Sequence, residues 1–397
     1  MLAAIQRSIV RLHDESDNVR LPAYSVHMDA IRATAAFLVL AGHSRMLFFG
    51  QHQSHHTNGG APTSALGLGG QAVVVFFVLS GFLVGSSAWR AIEGNRWSWN
   101  KYLFQRMTRL WIVLIPALIF GGLLDHIGLK FLSSNGGIYA APQGQGMVEH
   151  TLIAGMTLKV LLGNALFLQK ILVPSYGTNA ALWSLANEFW YYMLFPLLLL
   201  LFNGRTAIRP RVLYGLLAVV ILALIGIKIA SFFLVWLLGF GISTLELKIP
   251  SKFRRTMTVL ALLQFLTVIV FFRIHQTSYA ITAGSIGISF AAYLYVILHA
   301  RQPVASFYYQ KLAVTFSKFS YTLYLTHLPF LVFLVALTNR PWHPWPKTPA
   351  HFMLSILLVV VAYLYAWMMY LLFERNTDAV RNRLTQKGSV AAPVISS

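Results

Sequence analysis

The chain has 397 residues, 57% of them hydrophobic and 11% charged, with a mean hydropathy of +0.64; soluble domains carry about 25% charged residues, so this is the composition of a polytopic membrane protein. It has no cysteine, which excludes disulfides, thiolate metal sites and a cysteine nucleophile. The formal charge of +20 raises nucleic acid as a partner, but its distribution follows membrane topology, and no nucleic-acid role is expected.

Residues 1–27 lack the apolar core of a cleavable signal, so the first helix is expected to stay in place as the insertion signal. Apolar runs of spanning length predict an all-α bundle of about ten transmembrane helices, at about 28–50, 66–88, 107–129, 182–203, 212–230, 231–247, 257–274, 279–299, 312–338 and 351–373. The membrane region is 28–376, followed by a basic, disordered tail over 377–397. With the N-terminus inside, twenty of the 31 basic residues fall in cytoplasmic segments. Five fall outside (Lys130, Lys159, Lys170, Arg340 and Lys347), and the positive-inside rule then places both termini in the cytoplasm. The turn between 212–230 and 231–247 is inferred from length. The short apolar run at 151–168 is read as interfacial or re-entrant, because a full crossing there would invert every later loop.

Several polar residues lie within these apolar helices. On the first, Arg32 and His43 are eleven residues apart, about three turns, so they share a face roughly 16 Å apart along the axis. Ionisable groups at membrane depth face a bundle interior or a water-filled cavity and are functional candidates. On the second, Ser80 and Gly81 permit either close helix packing or the approach of a thin ligand. Arg106 and Arg109 share a face at the inner end of the third, either as snorkelling cations or as a clamp for phosphates.

Glu188 lies on the fourth helix with Ser184 and Tyr192 on its stripe, either in a structural ion pair or orienting substrate or His43. Ser320, Tyr324 and His327 line the ninth, where His327 is either a hydrogen-bonded core histidine or part of a site. His52, His55 and His56 have no acidic or cysteine partner at zinc-like spacing and read as a solvated loop, so no metal is expected. Trp342 and Trp345 read as interfacial anchors or a stacking surface for a sugar ring. No phosphate-binding glycine loop or nucleophile elbow occurs in a supporting context.

Taken in order, MDAIRATAAFLVLAGHS, FFVLSGFLV, RMTRLW, WSLANEFWYYMLFPLL, SYTLYLTHLPF and FERNTDAVR closely resemble the acyltransferase-3 family of integral-membrane acyltransferases, over about residues 28–376. The type it resembles is the polysaccharide-modifying one, expected without the fused extracytoplasmic hydrolase-like domain of many relatives. The resemblance implies transfer of an acyl group, acetyl by default, from cytoplasmic acyl-CoA to a hydroxyl of an envelope or exported glycan, in a bacterial inner membrane. It implies that His43 is the catalytic residue and Arg32 its companion, that Arg106 and Arg109 bind coenzyme A, and that Glu188 is the conserved acidic position.

Ser80 and Gly81 are assigned to the donor, and Trp183, Tyr324 and His327 to the acceptor. Ala30, Phe189 and Asn376 depart from the family pattern, and the last leaves the role of Glu374 open. His43 would act either as general base in a direct transfer or through an acyl-histidine intermediate. The rival class is a transporter or flippase, since intramembrane Arg, His and Glu also build substrate pathways, but no inverted repeat is evident.

Overall fold

A computed structural model describes residues 21–50, 67–134, 136–140, 154–275, 277–300, 302–304 and 306–390. The His52–His56 loop, residues 1–20 and the end of the tail from 391 lie outside the described residues. What is described is α-helical, with two isolated β-bridges, Pro22 to Pro303 and Gln169 to Val173, and no strand. The helices are α1 (Ala23–Phe49), α2 (Leu68–Glu93), α3 (Trp99–Phe131), α4 (Leu158–Ala165), α5 (Trp183–Phe202), α6 (Ile208–Thr244), α7 (Ser251–Ile274), α8 (Tyr279–Ile297), α9 (Phe307–Lys318), α10 (Ser320–Thr338), α11 (Pro349–Leu372) and α12 (Thr377–Val390).

Among the described residues, eight stretches are long and apolar enough to cross a membrane; they contain α2, α3, α5, α6, α7, α8, α10 and α11. The difference from the expected ten has two causes. Helix α1 is not among the eight, because Arg32, His43 and Arg45 interrupt its apolar character. The two helices expected over 212–247 are present as two limbs of one apolar stretch, α6, which counts once and is broken at Gly226 (φ 69°, ψ 171°). Glycine is the residue that takes this backbone conformation without a steric cost, so the break falls there and not at the expected junction of 230 and 231.

Contacts along α5 show that the chain reverses at this break. Arg211 donates to the Leu201 carbonyl, near the end of α5. Just past Gly226, Ile229 accepts from Tyr191 near its middle, and then Phe233 meets Tyr191 while Trp236 and Phe240 meet Phe195. The first limb thus runs against α5 and the second runs with it. The helix expected over 312–338 is interrupted at Phe319, between α9 and α10. The tail, expected to be disordered, is helical over Thr377–Val390; Asp378 in its first turn suits the helix dipole and pairs with Arg381.

The chain forms two compact units: Met1–His43 with His52–Arg96 and Trp183–Ser320, and Ser44–Gln51 with Trp97–Leu182 and Tyr321–Ser397. In the first unit, α2 packs on the second limb of α6 with backbones almost touching. A Cβ at Gly81 would stand 1.8 Å from the Trp236 carbonyl oxygen, and one at Gly239 1.9 Å from that of Val78. Around this crossing lie the rings of Phe77, Tyr191, Phe195, Phe232 and Trp236.

In the second unit, the apolar run expected to be interfacial or re-entrant turns back into the unit. Trp111 of α3 donates to the Ala165 carbonyl at 2.9 Å, while Asp125, about 21 Å further along the same helix, holds Thr178. The segment therefore descends beside α3 and returns. Irregular backbone at membrane depth needs internal hydrogen-bond partners, and two side chains supply them. Asn164 donates to the carbonyls of Val160 and Pro174 and accepts from the Tyr176 amide. Gln169 donates to Ser175, Asn179 and Ala180.

The return is fixed at Asp125, which is 1% exposed. Its carboxylate accepts from the Thr178 amide (2.7 Å), the Thr178 hydroxyl (2.8 Å) and the Tyr139 hydroxyl (3.2 Å). Burial, then the carboxylate beside it, push the Tyr139 hydroxyl well above its ordinary range, so it stays a donor. Trp345 departs from its anchoring or sugar-stacking reading: it is 5% exposed, stacked on Phe48 at 4.9 Å, with its amide donating to the Phe48 carbonyl.

Candidate active site

The candidate residues fall in both units: Arg32, His43, Ser80, Gly81, Trp183 and Glu188 in the first, and Arg106, Arg109, Tyr324 and His327 in the second. Helix α1 is continuous from Ala23 to Phe49, and its part up to His43 belongs to the first unit, so the helical phase that puts Arg32 and His43 on one face is realised. Both are half-buried. Arg32 Nη1 lies 3.6 Å from Asp29 Oδ1, one turn earlier. Asp29 is 4% exposed, and its Oδ1 also accepts from the Ser317 hydroxyl at 2.7 Å. A buried carboxylate held by a second donor fixes the guanidinium more firmly than a surface ion pair would. The sequence reading passed over Asp29. The signal was present: a carboxylate three residues before Arg32 shares its helix face.

Glu188 is half-buried on α5, and its Oε1 accepts from the Tyr192 hydroxyl at 2.5 Å, the i+4 contact expected from the stripe. Tyr192 also bonds Ser80. The space beside Gly81 is taken by the Trp236 carbonyl, the close-packing reading of this small residue. Trp183 meets Phe77 and Phe232 edge-on at 6.3 and 6.2 Å.

In the second unit, the two arginines of α3 have different surroundings. Arg106 has its Cζ 5.6 Å from the Tyr102 ring, and its Nε is a buried donor without a hydrogen-bond partner among the described residues. Trp97, whose ring is 4.9 Å from Tyr102, carries a second buried N–H in that state. A phosphate or an adenine edge supplies acceptors of the kind these donors lack. Arg109 is committed in part: Nη2 lies 3.3 Å from Glu374 Oε1, with the arginine side chain 45% exposed and its Cζ 5.6 Å from the Tyr321 ring. Glu374 is 5% exposed and accepts from both the amide and the hydroxyl of Thr322 at 3.2 and 2.5 Å. This gives Glu374 a structural partner that the sequence did not reveal.

Tyr324 is buried and donates to the Ala181 carbonyl at 2.9 Å. His327 is 1% exposed, with Nδ1 bonded to the Leu323 carbonyl at 2.9 Å and its ring 6.1 Å from that of Tyr324.

An all-helical chain with apolar, membrane-length helices, carrying ionisable side chains on them, is an integral multi-pass membrane protein. The family model for the acyltransferase domain, acyltransferase type 3, matches residues 26–367: the chain belongs to that family and is a membrane acyltransferase. Comparison with curated proteins gave no match, and neither did comparison with solved structures.

Proposed function

We propose that this acyltransferase moves an acyl group, acetyl in the first instance, from cytoplasmic acyl-CoA to a hydroxyl of an envelope or exported glycan. It works in a bacterial plasma membrane with both termini cytoplasmic. The observation that carries this reading is the placing of Arg32 and His43 on one face of an unbroken helix, with Arg32 paired to Asp29, which Ser317 holds.

Neutral imidazole has the basicity to take a proton from a hydroxyl near neutral pH. The acceptor oxygen then attacks the thioester carbonyl as His43 takes its proton. The tetrahedral intermediate collapses to the ester, and the departing coenzyme A sulfur recovers that proton from the imidazolium. Arg32, about 16 Å away along the helix, suits a long, thin donor laid along this face, and Glu188 orients the reacting groups. Arg106 and Arg109 bring positive charge to the coenzyme A phosphates, with the unpaired Arg106 Nε supporting that role.

The test is mass analysis of envelope and secreted glycans from cells with and without the protein, paired with incubation of the purified protein with labelled acetyl-CoA. Acetyl mass on a glycan that depends on the protein supports the reading. Glycans of equal mass and no transfer of label contradict it.

A further inference from the structure

Three buried side chains outside the reaction scheme form a line of hydrogen bonds that ends on Glu188. Trp236 Nε1 donates to Ser80 Oγ at 3.1 Å, the Ser80 and Tyr192 hydroxyls are 3.1 Å apart, and Tyr192 donates to Glu188 Oε1 at 2.5 Å. An indole N–H can only donate, and a tyrosine has one proton to give. Since that proton goes to Glu188, Ser80 must donate to the Tyr192 oxygen. Each hydroxyl then gives one bond and accepts one, and every bond points toward the carboxylate. Trp236 is 0%, Tyr192 6% and Ser80 8% exposed, so water does not compete for these groups.

The backbone is shaped to allow this line. Immediately after Ser80, α2 becomes π-helical over Gly81–Gly85, a local widening that needs a cause. Here the cause is the crossing at Gly81 and Gly239, where either Cβ would collide with the opposite backbone. That close approach brings the Trp236 indole to Ser80. An ordinary helix crossing keeps axes about 8–10 Å apart, with side chains between them.

We infer that Trp236, Ser80 and Tyr192 are positioning residues for Glu188, a one-way relay that holds its carboxylate in one orientation. The inference rests on the reading of Glu188 as part of the transferase site, and it moves Ser80 from donor contact to carboxylate support. Charge-assisted O–H···O⁻ bonds are short and strong, and each bond in a line polarises the next. One oxygen of Glu188 is thereby fixed by Tyr192.

The experiment uses the purified full-length protein. Infrared difference spectra between each protein and its Glu188→Gln counterpart isolate the Glu188 carboxylate stretch, a readout independent of turnover. Tyr192→Phe, which removes one oxygen, is expected to shift that band. Ser80→Ala should shift it the same way by less, whereas Ser80→Thr, which keeps the hydroxyl, should leave it in place. With acetyl-CoA as donor, Tyr192→Phe should lower kcat about tenfold, the order of one lost charge-assisted hydrogen bond, with KM for acetyl-CoA unchanged. Ser80→Ala combined with Tyr192→Phe should cost no more than Tyr192→Phe alone. A band that stays put in both Tyr192→Phe and Ser80→Ala overturns the relay, whatever happens to thermal stability. A band that moves as expected in a protein that transfers no acetyl upholds the relay and removes the acetyl-CoA reading proposed above.

Discussion

Arg109 Nη2 sits 3.3 Å from Glu374 Oε1, and Glu374, 5% exposed, is held from its other side by Thr322. The two arginines of α3 are therefore not equivalent. Arg109→Ala leaves a buried carboxylate without its cation and should lower stability by about 1–2 kcal/mol, between the values for exposed and fully buried pairs because the guanidinium is partly in solvent. Adding Glu374→Gln should recover most of that loss. Thermal melts of the single and double variants in detergent check it; an Arg109→Ala melt equal to wild type would show that the pair is not stabilising.

Among the described residues, Arg106 has no carboxylate of this kind, and its Nε has no hydrogen-bond partner. Arg106→Ala should leave the melting temperature unchanged and raise the KM for acetyl-CoA about 10- to 100-fold, the range of one or two charge-assisted contacts to phosphate. Equal KM values for variant and wild type would make Arg106 a marker of the membrane boundary.

Asp29→Asn tests the lock on Arg32. It keeps the shape and the Ser317 contact but removes the charge 3.6 Å from Arg32 Nη1. The guanidinium should lose its fixed position, with kcat falling about tenfold or more while the protein still folds. Arg32→Lys should fall further, since an ammonium keeps charge but lacks the planar fork. Wild-type kcat in Asp29→Asn would show that Arg32 needs no lock.

Much of this arrangement was legible in the sequence, because helical periodicity is local information. The common face of Arg32 and His43 and the stripe linking Glu188 to Tyr192 follow from 3.6 residues per turn and nothing else. The family followed from the order of several short strings. What remained hidden depends on contacts distant in sequence. The Arg109–Glu374 pair and the Trp236–Ser80 bond join residues far apart in the chain, and no periodicity reports them. The descent of the segment around α4 depends on what Asn164 and Gln169 reach. At Gly226, length indicated a turn, but an apolar run shows no polar break to mark its place.

The anchored return of that segment gives a stability prediction. Gly177 has φ +57°, and a Cβ there would stand 2.1 Å from Asp125 Oδ2. Gly177→Ala should therefore displace the carboxylate from Thr178 and destabilise the protein by about 2–4 kcal/mol, combining backbone strain with a disrupted buried acceptor. Asp125→Asn, which keeps an acceptor and removes the charge, should cost less. A Gly177→Ala melt within a degree of wild type would contradict this account of the loop.

The most direct measurement is the turnover of His43→Ala with labelled acetyl-CoA and the acetylated glycan's acceptor form, at saturating concentrations and with donor binding measured in parallel. The account predicts folded protein that binds acetyl-CoA as wild type does and transfers acetyl about 10²–10⁴-fold more slowly, the cost of removing a general base. Near-wild-type transfer by His43→Ala would contradict it.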